Sequence, residues 1–428
     1  MKKKTSTSRH RSKAQLLVEA AAKRVKTLFA QERYAESLAV CQQLMRTYPE
    51  VSGSWSDGAA CCIQLERWQD AIRYAQAALA RGEKDNLAIY DALSNASGQL
   101  KQWDDVRRYG LQALNMRAQR FGGEPLIPLP ASGPMPPPPS AQTRERNVIA
   151  FSLFGGNSKY CEPAVLNVQE QPKIYPHWVC RFYVDDSVPE HVISRLRAGG
   201  GQIVPVEGAA LQWPGPMWRF LALGDALAHR VLFRDADSLI SPREAAAVDQ
   251  WLSSGKRFHM MRDDSSHTEL ILAGLWGVVG GSLPPLEQLM QRFMSAPLAS
   301  RHFADQYFLR QYVWPYARAS LMQHDSMFDF MDAAPFPTPK GADEPNVGYR
   351  EGLPFFTLKS NLPNGSSVTW ALHLIEPGDD GKTREELVCA YPGAVKDGAV
   401  TAHIPARYAR RLEQGTAGVR VVVADKAA

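Results

Sequence analysis

The chain is short of the features that would place it outside a reducing, aqueous compartment. Among 428 residues there are six cysteines (Cys41, Cys61, Cys62, Cys161, Cys180, Cys389) and no Cys-x-x-Cys pair. A chain this long does not depend on disulfides, so the cysteines are expected to be reduced, partly buried thiols. No uncharged apolar stretch follows the basic start: AQLLVEAAAKRVK is broken by Glu19 and Lys23, which excludes a secretory signal. The charge-free run Leu270 to Leu286 is 17 residues long and holds four glycines and Pro284-Pro285, too short and too broken to span a bilayer. A cytoplasmic location without a transmembrane segment is therefore expected. At 45% apolar and 22% charged residues, wholesale disorder, collagen and coiled coil are excluded.

Strong charge is absent too, once its position is considered. The formal net charge is +5, but residues 1 to 13 carry six positive side chains and no acid, so the other 415 residues sum to −1. The near-neutral body gives no reason to expect a nucleic-acid partner, and 1–13 reads as a disordered, solvated basic tail. Length suggests two or three domains.

What is present begins with a repeat. Tyr34, Trp68 and Trp103 open the phrases ERYAESLAVCQQL, ERWQDAIRYAQAAL and KQWDDVRRYGLQAL at spacings of 34 and 35. Ala21, Trp55 and Tyr90 lie 13 residues before each, and Pro49 closes the first unit. The pattern resembles the tetratricopeptide repeat, which implies six stacked helices within 14–121 and a concave face for a protein or peptide partner. Residues 122–146 contain eight prolines without periodicity and read as an extended, semi-rigid linker. From 147 to 345, apolar phrases such as NVIAFSLFGG, CRFYVDD and HRVLFRDAD alternate with helical ones, predicting a three-layer α/β domain with a mostly parallel sheet. From 346 to 428, TLKSN, SVTWALHLIEP, VTAHIP and VRVVVAD alternate with Asn-Gly, Gly-Asp and Asp-Gly turns, predicting a small β-rich appendage. The expected fold class is thus multidomain, α plus α/β.

Chemistry is concentrated at Arg230-Val-Leu-Phe-Arg-Asp-Ala-Asp237, where an apolar strand delivers Asp235 and Asp237 at i and i+2. In extended chain both side chains point the same way, and the carboxyl ends of strands are where open α/β sheets bind ligands. Two hard oxygen donors suit Mg²⁺ or Mn²⁺ that also carries a diphosphate. The competing reading is a pair of solvated or helix-capping acids, since Ser238 to Glu244 begins a helix.

The stretch from Val231 to Gly277, with FSLFGGNSKYCEPAVLN and YPHWVCRFYVDDSVP before it and ADQYFL and HDS after it, resembles the nucleotide-sugar glycosyltransferases of GT-A (Rossmann-like) fold. The resemblance covers about 150–330. It implies a metal at Asp235, Asp237 and His324, and donor binding by Phe151, Ser152, Asp185, Arg219 and Asp235. It further implies an acceptor face at His267, Glu269, Gly274 and Trp276, with Asp305 or Gln306 as base or as stabiliser of the oxocarbenium-like transition state. His267-x-Glu269 lacks the second histidine of a hydrolytic zinc motif. The activity so implied is metal-dependent sugar transfer, to a protein or peptide recruited by the repeats. The alternative is a non-catalytic scaffold that keeps a degenerate transferase domain.

Overall fold

The computed structural model describes residues 13–129, 133–298, 300–342, 344–377 and 383–423. The basic tail expected over 1–13 lies outside them except for Lys13, which opens the first helix. The chain divides into two compact units, one built from 1–122, 264–270 and 325–333 and the other from the remainder.

The first unit is three helical hairpins: α1 Lys13–Ala30, α2 Tyr34–Thr47, α3 Ser52–Gln64, α4 Trp68–Ala80, α5 Leu87–Gln99 and α6 Trp103–Phe121. The aromatic openings at 34, 68 and 103 are the first residues of α2, α4 and α6. Each turn between paired helices is a Schellman closure. Arg33 N donates to Leu28 O, Arg67 N to Cys62 O and Gln102 N to Ser97 O, each at 2.9 Å. The intervening Glu32, Glu66 and Lys101 are left-handed, with φ of 59°, 55° and 58°. Small buried residues let the helices approach closely, among them Ala59, Cys61, Ala71, Ala75, Ala78 and Ala96. The segments 264–270 and 325–333 pack into the same unit: Ser94 Oγ donates to Ser265 O at 2.6 Å, and the Phe328 ring fills the space that a β-carbon at Gly110 would need.

The second unit is built on a seven-stranded sheet: β1 Asn147–Leu153, β2 Val179–Val184, β3 Gln202–Pro205, β4 Arg230–Phe233, β5 Phe258–Arg262, β6 Trp276–Val279 and β7 Leu321–Asp325. The strand order is β3-β2-β1-β4-β6-β5-β7. The first four are mutually parallel, and β6 runs antiparallel to β4 and β5, so the sheet is mixed. Every residue of β1 and β4 is buried, as expected for central strands covered on both faces. The helices are α7 Ser158–Ile174, α8 Glu190–Ala198, α9 Pro242–Ser253, α10 Leu286–Met294, α11 Ala304–Phe308 and α12 Trp314–Ala317. Between α11 and α12, Leu309–Val313 forms a π turn, which absorbs the missing amide of Pro315.

Two expectations are corrected here. The proline-rich linker is no free spacer where it is described, because Pro136 O and Pro137 O each accept from Arg230 at 2.8 Å and Ile127 bonds to Tyr316. Nor is the C-terminal part a separate appendage. Its strands β8 Phe355–Lys359, β9 Ser367–Pro377, β10 Thr383–Ala394, β11 Ala399–His403 and β12 Ala417–Val423, with α13 Ala406–Glu413, cover α7 and α8. Val368, Trp370, Leu372 and Tyr391 share one core with Phe151, Phe182 and Val192. Tyr391 donates to Glu162 at 2.6 Å, and Glu162 is gripped by both Nη atoms of Arg195. The sequence hides β10 because it opens on charge and contains Pro392; both are compatible with its place at the edge of the order β10-β9-β12.

Candidate functional site

Strand order reverses at β1, whose neighbours are β2 and β4, so the carboxyl ends of β1 and β4 mark the switch point at which open α/β sheets bind ligands. β4 ends at Phe233, and Asp235 and Asp237 lie in the turn that follows, closed by Ser238 N donating to Asp235 O at 3.2 Å. The alternation argued from extended chain therefore does not apply, yet the two carboxylates remain close enough to interact. Burial and the Asp235 charge push Asp237 up to about 6, and Lys159 and Arg350 oppose that rise. The Asp235 side chain is half exposed, whereas Asp237 is buried. Neither caps the next helix: that is done by Ser241, which accepts from Glu244 N.

Arg219 sits beneath the turn. It reaches there on the 3-10 segment Gly215–Gly224 and is held by its own N–H, which donates to Ser152 Oγ at 2.8 Å. Its Nη1 donates to Asp235 Oδ1 and to Arg234 O at 2.9 Å, and its Nη2 to Asp305 Oδ2 at 2.8 Å. Burial works to lower this guanidinium, but the two carboxylates outweigh it and the group is held above its ordinary value. For Asp305, burial outweighs the pull of Arg219 and raises the carboxyl. The amide of Gln306, oriented to satisfy both partners, donates to Ile271 O at 2.8 Å and accepts from Ala273 N at 3.0 Å. Gly274 follows directly, and a β-carbon there would come to 2.0 Å from Asp235 Oδ2.

Lys159 stands in the first turn of α7, whose cap Asn157 accepts from Lys159 N at 2.9 Å. Arg350 is brought beside Ser238 by an isolated bridge, and Gly352 N donates to Asp237 O at 3.2 Å. Gly352 also lies against Lys159 O, where a β-carbon would approach to 1.9 Å. Pro163 explains the fit, because four residues on it has no N–H to give that carbonyl. Sequence reasoning missed Lys159, Arg350 and Gly352. Lys159 was marked by the Gly-Gly-Asn cap before it; Arg350, more than a hundred residues from Asp237, carried no signal.

Several residues expected at the site are elsewhere. Phe151 points into the core and stacks on Phe182 with ring centroids 4.8 Å apart, so it is no donor-binding residue. Ser152 serves Arg219 and donates to Pro216 O at 3.1 Å. Asp185 accepts from Ser187 N at 3.1 Å in the turn after β2. Trp276 is buried on β6 and stacks on Phe233 at 4.3 Å, which removes it from the acceptor face. His267 and Glu269 belong to the helical unit, where Arg117 pairs with Glu269 at 3.3 Å and with Asp91 at 2.7 Å.

His324 is corrected as well. It is buried in β7, with Nδ1 2.9 Å from His259 Nε2 and Nε2 2.7 Å from Gln250 Oε1, so both ring nitrogens are committed. Burial lowers it to about 4. Among the described residues no three His, Cys, Asp or Glu side chains gather as a ligand cluster; what the turn after β4 offers a cation is the two carboxylates of Asp235 and Asp237. That suffices for Mg²⁺ or Mn²⁺, which takes one or two carboxylates and completes its shell with phosphate and water. A cavity of about 550 Å³ lies at the other end of the central strands β4 and β6, lined by Asp225, His229, Gly280, Ser282 and Glu287 among others, and neither Asp235 nor Asp237 lines it.

All six cysteines are free and buried, and among the described residues no helix is long and apolar enough to cross a membrane. No protein-family model and no curated protein matches the sequence. Similar solved structures include the TPR2B-domain:pHsp70 complex of yeast Sti1, 18% identical over 24% of this chain and 80% of that one, TM-score 0.22. A CopN–Scc3 complex is 17% identical over 25% of this chain and 61% of that one, TM-score 0.23. A mutant O-GlcNAc transferase of Thermobaculum terrenum is 14% identical over 60% of this chain and 55% of that one, TM-score 0.30. These likenesses assign no role to any residue.

Proposed function

We propose that the chain is a metal-dependent glycosyltransferase that moves a sugar from a nucleoside-diphosphate donor to an acceptor hydroxyl. The observation that carries this reading is the Asp235/Asp237 pair at the carboxyl end of β4, where strand order reverses, with Lys159 and Arg350 acting on Asp237. Carboxylates and cations at one such point suit a metal together with the diphosphate it carries.

Asp235 and Asp237 would hold Mn²⁺ or Mg²⁺, which when bound neutralises the charge growing on the leaving diphosphate. Lys159, in the positive first turn of α7, and Arg350 attract and orient the diphosphate. Arg219 is spent on Asp235 and Asp305, so it is assigned no phosphate. In the transfer the bond from the anomeric carbon to the diphosphate oxygen breaks, its electron pair leaving with the nucleoside diphosphate. A bond from the acceptor oxygen to the same carbon forms, and the acceptor proton is released. The helical repeats would recruit a protein or peptide acceptor and raise its local concentration.

Calorimetry with UDP and GDP in the presence of Mn²⁺ tests the reading. Binding of one of them, abolished by Asp237→Ala, supports it. No binding of either, with or without metal, would favour a non-catalytic scaffold.

A further inference from the structure

Two lines of contact converge on the Asp235 carboxylate from opposite sides, and both start from adjacent residues of α11. On the Oδ1 side, Asp305 fixes Arg219, and Arg219 donates to Asp235. On the Oδ2 side, Gln306 pins Ile271 O at 2.8 Å and Ala273 N at 3.0 Å. That grip delivers Gly274 to within 2.0 Å, measured from its ideal β-carbon position, of Oδ2. Asp305 is itself held by its second oxygen, which accepts from Gln306 N at 2.8 Å.

We propose that Asp305 and Gln306 are a positioning pair for Asp235, and that Gly274 is the stop against which its carboxylate rests. A half-exposed aspartate would otherwise sample several rotamers, and each would have to be given up when a cation binds. Here a buried guanidinium and a glycine Cα fix one orientation and leave the exposed side of the carboxylate open. Only a side-chain amide of this length both donates to Ile271 O and accepts from Ala273 N; glutamate would turn a second acceptor toward Ile271 O. Asp305 and Gln306 then touch neither substrate nor the reacting atoms, which reverses the catalytic role expected from the sequence.

The consequence for metal binding rests on the reading of Asp235 as a cation ligand; the positioning itself does not. The test is made on the full chain with Gln306→Ala, which adds no atoms, and Gly274→Ala, which drives a methyl group into Oδ2. Asp235→Asn is the reference. Crystal structures report the carboxylate position, and electron paramagnetic resonance reports the affinity for Mn²⁺ alone. The expected result is a carboxylate displaced by on the order of 1 Å in both variants. Mn²⁺ affinity should fall by roughly 10- to 100-fold, the usual effect of losing a partner that orients a ligand. A merely structural role would leave Mn²⁺ affinity unmoved.

A carboxylate that stays in place in both variants overturns the proposal. So does an unchanged Mn²⁺ affinity in both when Asp235→Asn weakens it. A carboxylate that moves while neither the variants nor Asp235→Asn alters Mn²⁺ affinity upholds the positioning pair and removes the cation reading instead. If Gly274→Ala does not fold, Gln306→Ala decides alone.

Discussion

Arg219 and Asp305 form a buried ion pair, Nη2 to Oδ2 at 2.8 Å, in which the same guanidinium also serves Asp235 through Nη1. Two carboxylates thus lean on one cation whose side chain is 3% exposed. Arg219→Met strands the buried Asp305 charge and should cost about 3 to 5 kcal/mol in denaturant unfolding. Adding Asp305→Leu should recover part of that loss, giving a coupling of about 0.5 to 3 kcal/mol in the double-mutant cycle. Strict additivity would mean that the pair is energetically idle.

His259 and His324 make stability depend on pH. With His324 Nε2–H donating to Gln250 and His259 Nε2–H donating to His324 Nδ1, both rings are neutral, and a proton added to His324 at Nδ1 sets two donors face to face. Burial lowers His324 to about 4, and burial, with the His324 and Arg234 charges, lowers His259 well below its ordinary value, so the unfolded chain binds protons first as pH falls. Stability is full above about pH 6.5 and is lost between there and about pH 4, by up to about 3 kcal/mol from His324. Urea unfolding at pH 7.5 and pH 5.5 reads this directly. His324→Gln should flatten the difference; an unchanged slope would contradict the pairing.

Trp276 separates a core residue from an acceptor contact. Trp276→Phe should destabilise by about 1 to 3 kcal/mol through the cavity it leaves beside Phe233. It should leave the KM for an acceptor unchanged. A raised KM with unaltered stability would restore Trp276 to the acceptor face.

Glu66 and Lys101 are left-handed residues where glycine carries no steric penalty. Glu66→Gly and Lys101→Gly should each stabilise by up to about 1 kcal/mol, seen as a higher thermal midpoint. A loss of the same size would mean that chain entropy outweighs the strain.

The legible parts of the sequence were those where one period or one buried run determines structure. Trp68 and Trp103 marked helix starts because each opens an amphipathic phrase, and Val231 to Phe233 marked a central strand because no polar residue interrupts it. Left-handed Glu66 was invisible, since nothing in its type asks for positive φ. The site failed where long-range pairing decides. His259 claims His324 from 65 residues away, and the glycines around Trp276 disguised a core strand as a binding loop. The small residue at Gly274 makes room for the Asp235 carboxylate, a neighbour that its place in a glycine-rich run does not reveal. Asp235 and Asp237 are brought together by a turn and not by strand alternation, which stops at Phe233.

The most direct test is nucleoside-diphosphate release from a panel of nucleotide sugars with Mn²⁺, comparing the full chain with Asp237→Ala. The account predicts release by the unaltered protein and its loss, by at least about 100-fold, in the variant. Turnover that survives Asp237→Ala unchanged would contradict it.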